Sequence, residues 1–231
     1  MTTIASNLQA VRSSIATAAV KAGRDANSVS LLAVSKTFTP AAIRAAYQAG
    51  QNCFAESYVQ EALEKIAVLP DLPIEWHYIG PIQSNKTRPI ATHFAWVHSV
   101  DRLKIAERLA EQRPAQLPPL QLCLQVNISG ETSKSGVPPH EVGALAHAVA
   151  KLSHVQLRGL MAVPAPSHDV AAQRQAFARL RELRDQLNSD GLHLDTLSMG
   201  MSDDFAAAIA EGSTIVRIGS AIFGARNYQQ D

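Results

Sequence analysis

Eight short apolar segments, each followed by an amphipathic stretch, constrain the fold of this 231-residue chain more than any other feature. The segments are rich in Val, Ile and Leu, and they predict strands at 31–35, 52–55, 75–79, 96–99, 120–127, 156–163, 196–199 and 215–218. The stretches between them predict helices at 40–49, 57–67, 85–92, 101–112, 139–151, 169–188 and 203–211. Such alternation indicates parallel strands with helical crossovers, and eight units favour a closed (β/α)8 barrel over an open sheet.

The chain is predicted to form a single domain over residues 1–231, because no linker, repeat or low-complexity tract divides it. Before the first strand, Ile4, Leu8, Val11 and Ile15 recur at helical spacing. This stripe predicts an extra N-terminal helix that packs on the barrel. The first 23 residues lack acidic side chains, which is also typical of an organelle transit peptide, but the stripe favours the packed helix.

Composition argues against several classes of function. A net charge of +1 and an isoelectric point near 7.9 give no basic field for nucleic acid or for an anionic membrane surface. No apolar run approaches the roughly 20 residues of a membrane span. Cys53 and Cys123 lie in apolar runs, which is typical of core residues in a reducing compartment, so a cytoplasmic protein is expected. His77, His98 and Asp101 are scattered along the chain, and no metal site is predicted.

Lys36 is the candidate reactive residue, because it stands directly after the first predicted strand. In a (β/α)8 barrel, reactive groups lie at the C-terminal ends of the strands. Desolvation there would lower the amine pKa from about 10.4 and make it able to condense with an aldehyde. The alternative is a structural lysine whose ammonium simply reaches out to solvent.

Two segments near the C-terminus indicate an anion site. Gly219 and Ser220 directly follow the eighth predicted strand, where backbone N–H groups can face an anion. Ser202 follows the seventh strand and is predicted to cap the next helix. Barrels often hold phosphate at these two loops. With Lys36 facing them across the barrel mouth, the site would suit pyridoxal 5′-phosphate (PLP) or a phosphorylated sugar, and spacing alone does not choose between the two ligands.

Motifs distributed along the whole chain carry a specific resemblance. They are AVSKT at 33–37, HYIGPIQSNK at 77–86, SKSG at 133–136, GLM at 159–161, LSMGMSDD at 197–204 and RIGSAIFG at 217–224. On these motifs the chain resembles the pyridoxal-phosphate homeostasis proteins of the YggS/PROSC type, which share the barrel of the alanine racemase N-terminal domain. The resemblance implies that PLP is the cofactor and that Lys36 carries it as an internal aldimine.

The resemblance also implies the rest of the cofactor site. Ser202, Gly219 and Ser220 would hold the phosphate, and Arg217 would lie beside the pyridine nitrogen. The whole cofactor-binding set implied in this way is Lys36, Ser198, Met199, Ser202, Arg217, Gly219 and Ser220. A permanently charged guanidinium opposes protonation of the ring nitrogen, so carbanion chemistry would be poorly supported. No catalytic residue is predicted.

The sequence departs from the family pattern after the second strand, where the family usually reads Phe-Gly-Glu-Asn and this chain has Phe54-Ala55-Glu56-Ser57. Ala55 argues against a positive φ at that position, and Ser57 predicts a weakened contact rather than a lost site. Lys86 and Lys134 are loop lysines. Surface roles are expected for both, with phosphate attraction or transient aldehyde capture as the alternative.

The predicted function is a PLP carrier that buffers or delivers the cofactor, with transient contact to PLP-dependent apoenzymes. A monomer is expected. Alanine racemase adds a β-domain whose tyrosine supplies a second base to the partner subunit's site, and this chain ends shortly after the eighth predicted strand. Three alternatives remain open: a PLP-dependent racemase or lyase of unknown substrate, a Schiff-base aldolase acting on a phosphorylated sugar, and a barrel that serves as an interaction scaffold.

Overall fold

The eight strands form a closed parallel barrel, as the alternation predicts. In the computed structural model, which describes residues 3–131 and 135–225, the strands pair in chain order. They are β1 (Ser30–Val34), β2 (Cys53–Glu56), β3 (Glu75–Tyr78), β4 (Trp96–Val100), β5 (Leu120–Gln125), β6 (Val155–Met161), β7 (Thr196–Ser198) and β8 (Ile215–Ile218). Pairing of β1 with β8 closes the ring, with Leu32 opposite Arg217 and Ala33 opposite Ile218. The predicted fold class is therefore confirmed.

Helices surround the barrel in the described part of the chain. They are α1 (Ile4–Lys21), α2 (Pro40–Gln48), α3 (Val59–Val68), α4 (Thr87–His93), α5 (Leu103–Gln112), α6 (Val142–Val149), α7 (Val170–Ser189), α8 (Phe205–Ala210) and α9 (Ser220–Phe223). The predicted extra helix is α1, which buries Leu8, Val11 and Ile15 and contacts α8 and α9. None of the helices that the structure describes combines the length and apolar character needed to cross a bilayer.

The end of β7 differs from the sequence interpretation. Helix α8 begins at Phe205 rather than at residue 203, and Ser202 is not its N-cap. Asp204 is the residue that precedes the helix, and its Oδ1 accepts a hydrogen bond from the Met201 N–H at 2.6 Å. The prediction for Ser202 is therefore wrong, because the acidic side chain two residues later satisfies the turn instead. The Ser202 hydroxyl is thus left for other contacts.

Strand alternation separates the two faces of β1. Ala33 packs in the main hydrophobic core together with residues of the outer helices, such as Leu8 and Ile43. Leu32 and Val34 belong to a smaller cluster with Ala55 and Ile215. Because successive side chains of a strand point to opposite faces, the smaller cluster lies inside the barrel. Continued one residue past β1, the same alternation places Ser35 on the outer face, and Lys36 follows in the turn.

Candidate functional site

The backbone on both sides of Lys36 is held by hydrogen bonds. The Ser35 N–H donates to the Ala55 carbonyl at 3.0 Å, and the Ser35 hydroxyl donates to Glu56 Oε1 at 2.6 Å. Thr37 adopts a left-handed conformation with φ of 69°, and its N–H donates to Glu61 Oε1 at 2.6 Å. Lys36 itself is half-buried. A left-handed threonine costs energy and is kept only where its surroundings hold it, so this turn is well defined.

A buried ammonium organises that turn from outside the barrel. Lys65 Nζ donates to the Ser35 carbonyl at 2.8 Å, to Glu56 Oε1 at 2.8 Å and to Glu61 Oε1 at 2.5 Å. The side chains of Lys65 and Glu56 are 5% and 0% exposed. Burial raises the pKa of Glu56, and the charge and hydrogen bond of Lys65 oppose that rise. Sequence reasoning missed Lys65, because its i,i+4 spacing from Glu61 is that of an ordinary exposed helix pair.

The loop after β8 adjoins the Lys36 turn rather than facing it. Because β8 pairs with β1, a Cβ placed on Gly219 would lie only 3.1 Å from the Val34 carbonyl oxygen. The rings of Phe38 and Phe223 stack with their centroids 4.9 Å apart, which joins the loop after β1 to α9. The expectation that lysine and anion loops face each other across the mouth is therefore wrong. Both lie in one sector of the barrel, formed by β7, β8 and β1.

Two hydroxyl groups from different loops meet in this sector. Ser202 Oγ and Ser220 Oγ are 3.4 Å apart, and both residues are at least partly exposed. Gly219 is the N-cap of α9, whose first N–H groups have no acceptor within the helix. The arrangement offers several donors to one anion.

Arg217 lies buried on β8 with its guanidinium held by the protein. Its Nη1 donates to the Ser198 carbonyl at 2.6 Å and to Ser198 Oγ at 2.9 Å, and Nη2 donates to the Ala162 carbonyl at 3.0 Å. Within the described residues these bonds use three of the five N–H groups of the guanidinium, which leaves two. Burial lowers the pKa of Arg217 to about 10, so the group keeps its positive charge at neutral pH.

The predicted site residues thus fall into two groups. Lys36, Ser202, Gly219 and Ser220 are partly exposed, whereas Ser198, Met199 and Arg217 are buried. Ser198 contacts the guanidinium directly, while the Met199 side chain lies in the main hydrophobic core.

Two histidines that sequence reasoning described as scattered lie in contact inside the barrel. His77 Nδ1 is 2.9 Å from His98 Nε2, whereas Asp101 pairs separately with Arg102 at 2.7 Å. Donor atoms of Cys53, Glu75 and His77 come within 4.8 Å of one another in the described residues. Glu75 Oε1 and His77 Nε2 already form a hydrogen bond at 2.9 Å. That no metal is bound stays a prediction.

We expect the stability of the protein to fall between about pH 6.5 and pH 5. Burial lowers the pKa of His77, and it lowers that of His98 well below its usual value. In this range the unfolded chain therefore binds protons that the folded protein excludes. Stability rises with pH wherever the unfolded state binds more protons, so each histidine costs up to about 1.4 kcal/mol per pH unit below about 6.5.

Urea unfolding at several pH values measures this dependence. His98→Asn is expected to show a shallower decline, whereas His140→Asn, at an exposed position, should follow the parent protein. An equally steep decline in His98→Asn would assign the effect to other groups.

The departures from the family pattern are accommodated locally. Ala55 is buried in β2, and among the described non-glycine residues only Thr37 and His154 have a positive φ, as Ala55 led us to expect. Ser57 is buried, and its carbonyl accepts a hydrogen bond from the Tyr78 hydroxyl at 3.1 Å. Lys86 is exposed at the end of a 3₁₀ turn, and Lys134 lies outside the described residues.

Known proteins share this fold and most of this sequence. A family model described as alanine racemase, N-terminal domain, matches residues 6–227. The pyridoxal phosphate homeostasis protein of Pseudomonas aeruginosa is 64% identical over 228 residues, covering 99% of this chain and 98% of that protein. The protein of the same name from Escherichia coli K12 is 52% identical over 233 residues, with full coverage of both chains.

A solved structure agrees with these matches. PipY of Synechococcus elongatus, with PLP bound, has a TM-score of 0.85 and 40% identity, covering 96% of this chain and 100% of that chain. The chain therefore belongs to the family of the alanine racemase N-terminal domain and, within it, to the pyridoxal phosphate homeostasis proteins.

Proposed function

We propose that this chain binds PLP in intracellular vitamin B6 homeostasis and holds it as a Schiff base on Lys36, with little or no catalytic turnover. Relatives named as homeostasis proteins and the PLP-bound PipY support this function. The observation that carries it is the closure of the barrel between β8 and β1, which sets the Lys36 turn beside Gly219 and Ser220. PLP supplies an aldehyde that condenses with a lysine amine, forming a C=N bond and releasing water.

The residues of this sector fit the phosphate of PLP. The Ser202 and Ser220 hydroxyls come from separate loops yet lie 3.4 Å apart, close enough to donate to one phosphate group. Gly219 leaves room at the point where the loop passes the Val34 carbonyl. We assign phosphate binding to Ser202, Gly219 and Ser220, with help from the first N–H groups of α9.

Arg217 fits the pyridine nitrogen. Its guanidinium is charged and buried, and the bonds to Ser198 and Ala162 leave two N–H groups for a ligand. A positive charge at this place disfavours a protonated ring nitrogen, so the ring would be a weak electron sink. This is the physical reason to propose a carrier rather than an enzyme. Ser198 would act through Arg217, and Met199 would contribute through its backbone.

A site built by one chain is compatible with a monomer. We propose a single domain over residues 1–231 that acts as a monomer in the cytoplasm and transfers PLP through transient contacts with apoenzymes. Size-exclusion chromatography with light scattering measures the oligomeric state directly.

Borohydride trapping tests the Schiff base. Purified protein incubated with PLP should show a visible absorption band that borohydride removes, because hydride addition converts C=N to a stable secondary amine. Peptide mass spectrometry should place the pyridoxyl group on Lys36, and Lys36→Ala should lose both the band and the label. Lys86→Ala is the matched control and should retain them. A label on another lysine in the unaltered protein would overturn the assignment.

The racemase or lyase alternative is tested separately. We expect L- and D-alanine to remain unchanged after long incubation with stoichiometric PLP-loaded protein. Racemisation or loss of amino acid at many turnovers per site would show that the chain is an enzyme.

A further inference from the structure

A series of hydrogen bonds crosses the barrel interior from Arg217 to the first residue of β3. Arg217 Nη1 donates to Ser198 Oγ at 2.9 Å, and Ser198 Oγ is 2.8 Å from His98 Nδ1. His98 Nε2 is 2.9 Å from His77 Nδ1, and His77 Nε2 is 2.9 Å from Glu75 Oε1. The first four residues are buried, whereas the Glu75 side chain is 47% exposed at the other end of the barrel.

The chemistry of Glu75 at one end and of Arg217 at the other requires the same direction of hydrogen-bond donation along the series. A carboxylate only accepts, so His77 carries its proton on Nε2 and, as a neutral ring, accepts at Nδ1. His98 must then donate from Nε2 and accept at Nδ1, which requires Ser198 to donate its hydroxyl proton to His98. A guanidinium only donates, so the Ser198 oxygen accepts from Arg217. Burial lowers the pKa of both histidines, in agreement with neutral rings.

The His77 ring is held by stacking as well as by hydrogen bonds. It lies parallel to the Trp96 ring, with centroids 5.5 Å apart and an interplanar angle of 6°. The guanidinium of Arg158 lies over the Trp96 ring, 5.0 Å from its centre. This packing restricts rotation of the imidazole, so His77 keeps Nε2 toward Glu75 and Nδ1 toward His98.

We infer that Ser198, His98, His77 and Glu75 form a one-way hydrogen-bonded relay that positions the Arg217 guanidinium. If His98 adopted the other tautomer, Ser198 would accept from it, and the serine proton would need a new acceptor close to Arg217. The effect on PLP rests on the proposed function, in which Arg217 contacts the cofactor ring. Glu75 is then a positioning residue that acts on the cofactor from the opposite end of the barrel.

Nitrogen NMR of the imidazole rings tests the relay without PLP. At neutral pH the unaltered protein should show His77 and His98 as neutral rings protonated at Nε2. Glu75→Ala should shift His77 toward a mixture of tautomers, and Glu75→Gln, which keeps a carbonyl acceptor, should restore the original pattern. A ring protonated at Nδ1, or a doubly protonated ring, in the unaltered protein would overturn the relay.

PLP titration tests whether the relay affects binding of the cofactor. Loss of one net hydrogen bond in the relay should weaken PLP binding about two- to tenfold in Glu75→Ala. Glu75→Gln should bind nearly as the parent protein does. Asp71→Asn removes an exposed carboxylate in the loop before β3 that pairs with Arg44 instead, and it should leave PLP affinity unchanged.

The outcomes separate the relay from the proposed function. Parent affinity in Glu75→Ala, or an equal loss of affinity in Asp71→Asn, would show that Glu75 does not act on the cofactor site. Failure of the unaltered protein to bind PLP would reject the proposed function, while the NMR result would still decide the relay.

Discussion

Methionine in place of Lys65 is expected to destabilise the folded protein by about 3–5 kcal/mol, the usual cost of removing one partner from a buried ion pair. Lys65 is the cation that contacts Glu56 and Glu61 together, and Glu56 is fully buried. Glu56 Oε2 already lacks a hydrogen-bond partner among the described residues. Without the ammonium, the carboxylate would have to stay charged in an apolar site or take up a proton.

The loss of folding stability in Lys65→Met should be smaller at lower pH. Burial already raises the pKa of Glu56, and removal of Lys65 removes the interaction that opposes this rise. Below the raised pKa the folded variant binds a proton that the unfolded chain, with an ordinary glutamate pKa of about 4.3, does not bind. The stability of the variant relative to the parent protein therefore increases as pH falls.

Urea unfolding of the variants at about pH 7.5 and pH 5.5 measures both effects. Glu56→Gln combined with Lys65→Met should recover part of the loss at the higher pH, because no charge is left buried. Lys104→Met, on an exposed helix position, is the matched control and should change stability by less than about 0.5 kcal/mol. A pH-independent deficit would show that packing, rather than charge, accounts for the role of Lys65.

Lys65 also has a functional consequence, because it bonds the Ser35 carbonyl and Glu61, and Glu61 holds the Thr37 N–H. The backbone positions of Ser35 and Thr37, the two neighbours of Lys36 in the chain, therefore depend on the Lys65 ammonium. The variant should accordingly form less of the borohydride-trapped adduct even under conditions in which it is folded.

Periodicity was sufficient to predict the barrel, because every strand has a buried apolar segment of its own. In most of the strands, the predicted C-terminal residue differs from the observed one by one or two positions. Strand β5, for example, ends at Gln125 rather than at residue 127. Hydrogen bonds to loops decide these ends, and such bonds have no periodic signal. The short α9 was missed for a related reason: four residues are fewer than a helical pattern needs.

The candidate site could be predicted only where a sequence motif contains its residues. Lys36, Ser202, Gly219 and Ser220 stand in recognisable segments, and the structure gathers them in one sector. The supporting groups have no such signal. His98 and Ser198 are 100 residues apart, and only closure of the barrel brings them into contact. The burial of Lys65 likewise depends on how α3 packs against the ends of β1 and β2.

Substitution of Gly200 by alanine is expected to destabilise the folded protein by about 2–5 kcal/mol. Gly200 has φ of 97°, a conformation that costs an L-residue about 1–2 kcal/mol. A Cβ there would also lie 2.7 Å from Ala208 Cβ and 3.0 Å from Phe205 Cα, and overpacking of this kind adds about 1–3 kcal/mol. To relieve the contact, the start of α8 must move away from the barrel.

That movement should reach the proposed phosphate site. The Gly200 carbonyl accepts a hydrogen bond from the backbone N–H of Arg217 at 2.9 Å. Ser202 lies two residues further along the same turn. Gly200→Ala should therefore weaken PLP binding as well as stability, in titrations and urea unfolding of the same preparations. Gly23→Ala is the matched control, because Gly23 has φ of 71° but a Cβ placed on it would meet nothing within 4 Å. The Gly23→Ala variant should lose about 1–2 kcal/mol of folding stability without any change in PLP affinity. Equal stability losses in the two variants would show that the contact with α8 relaxes freely and that the turn does not hold Ser202 in place.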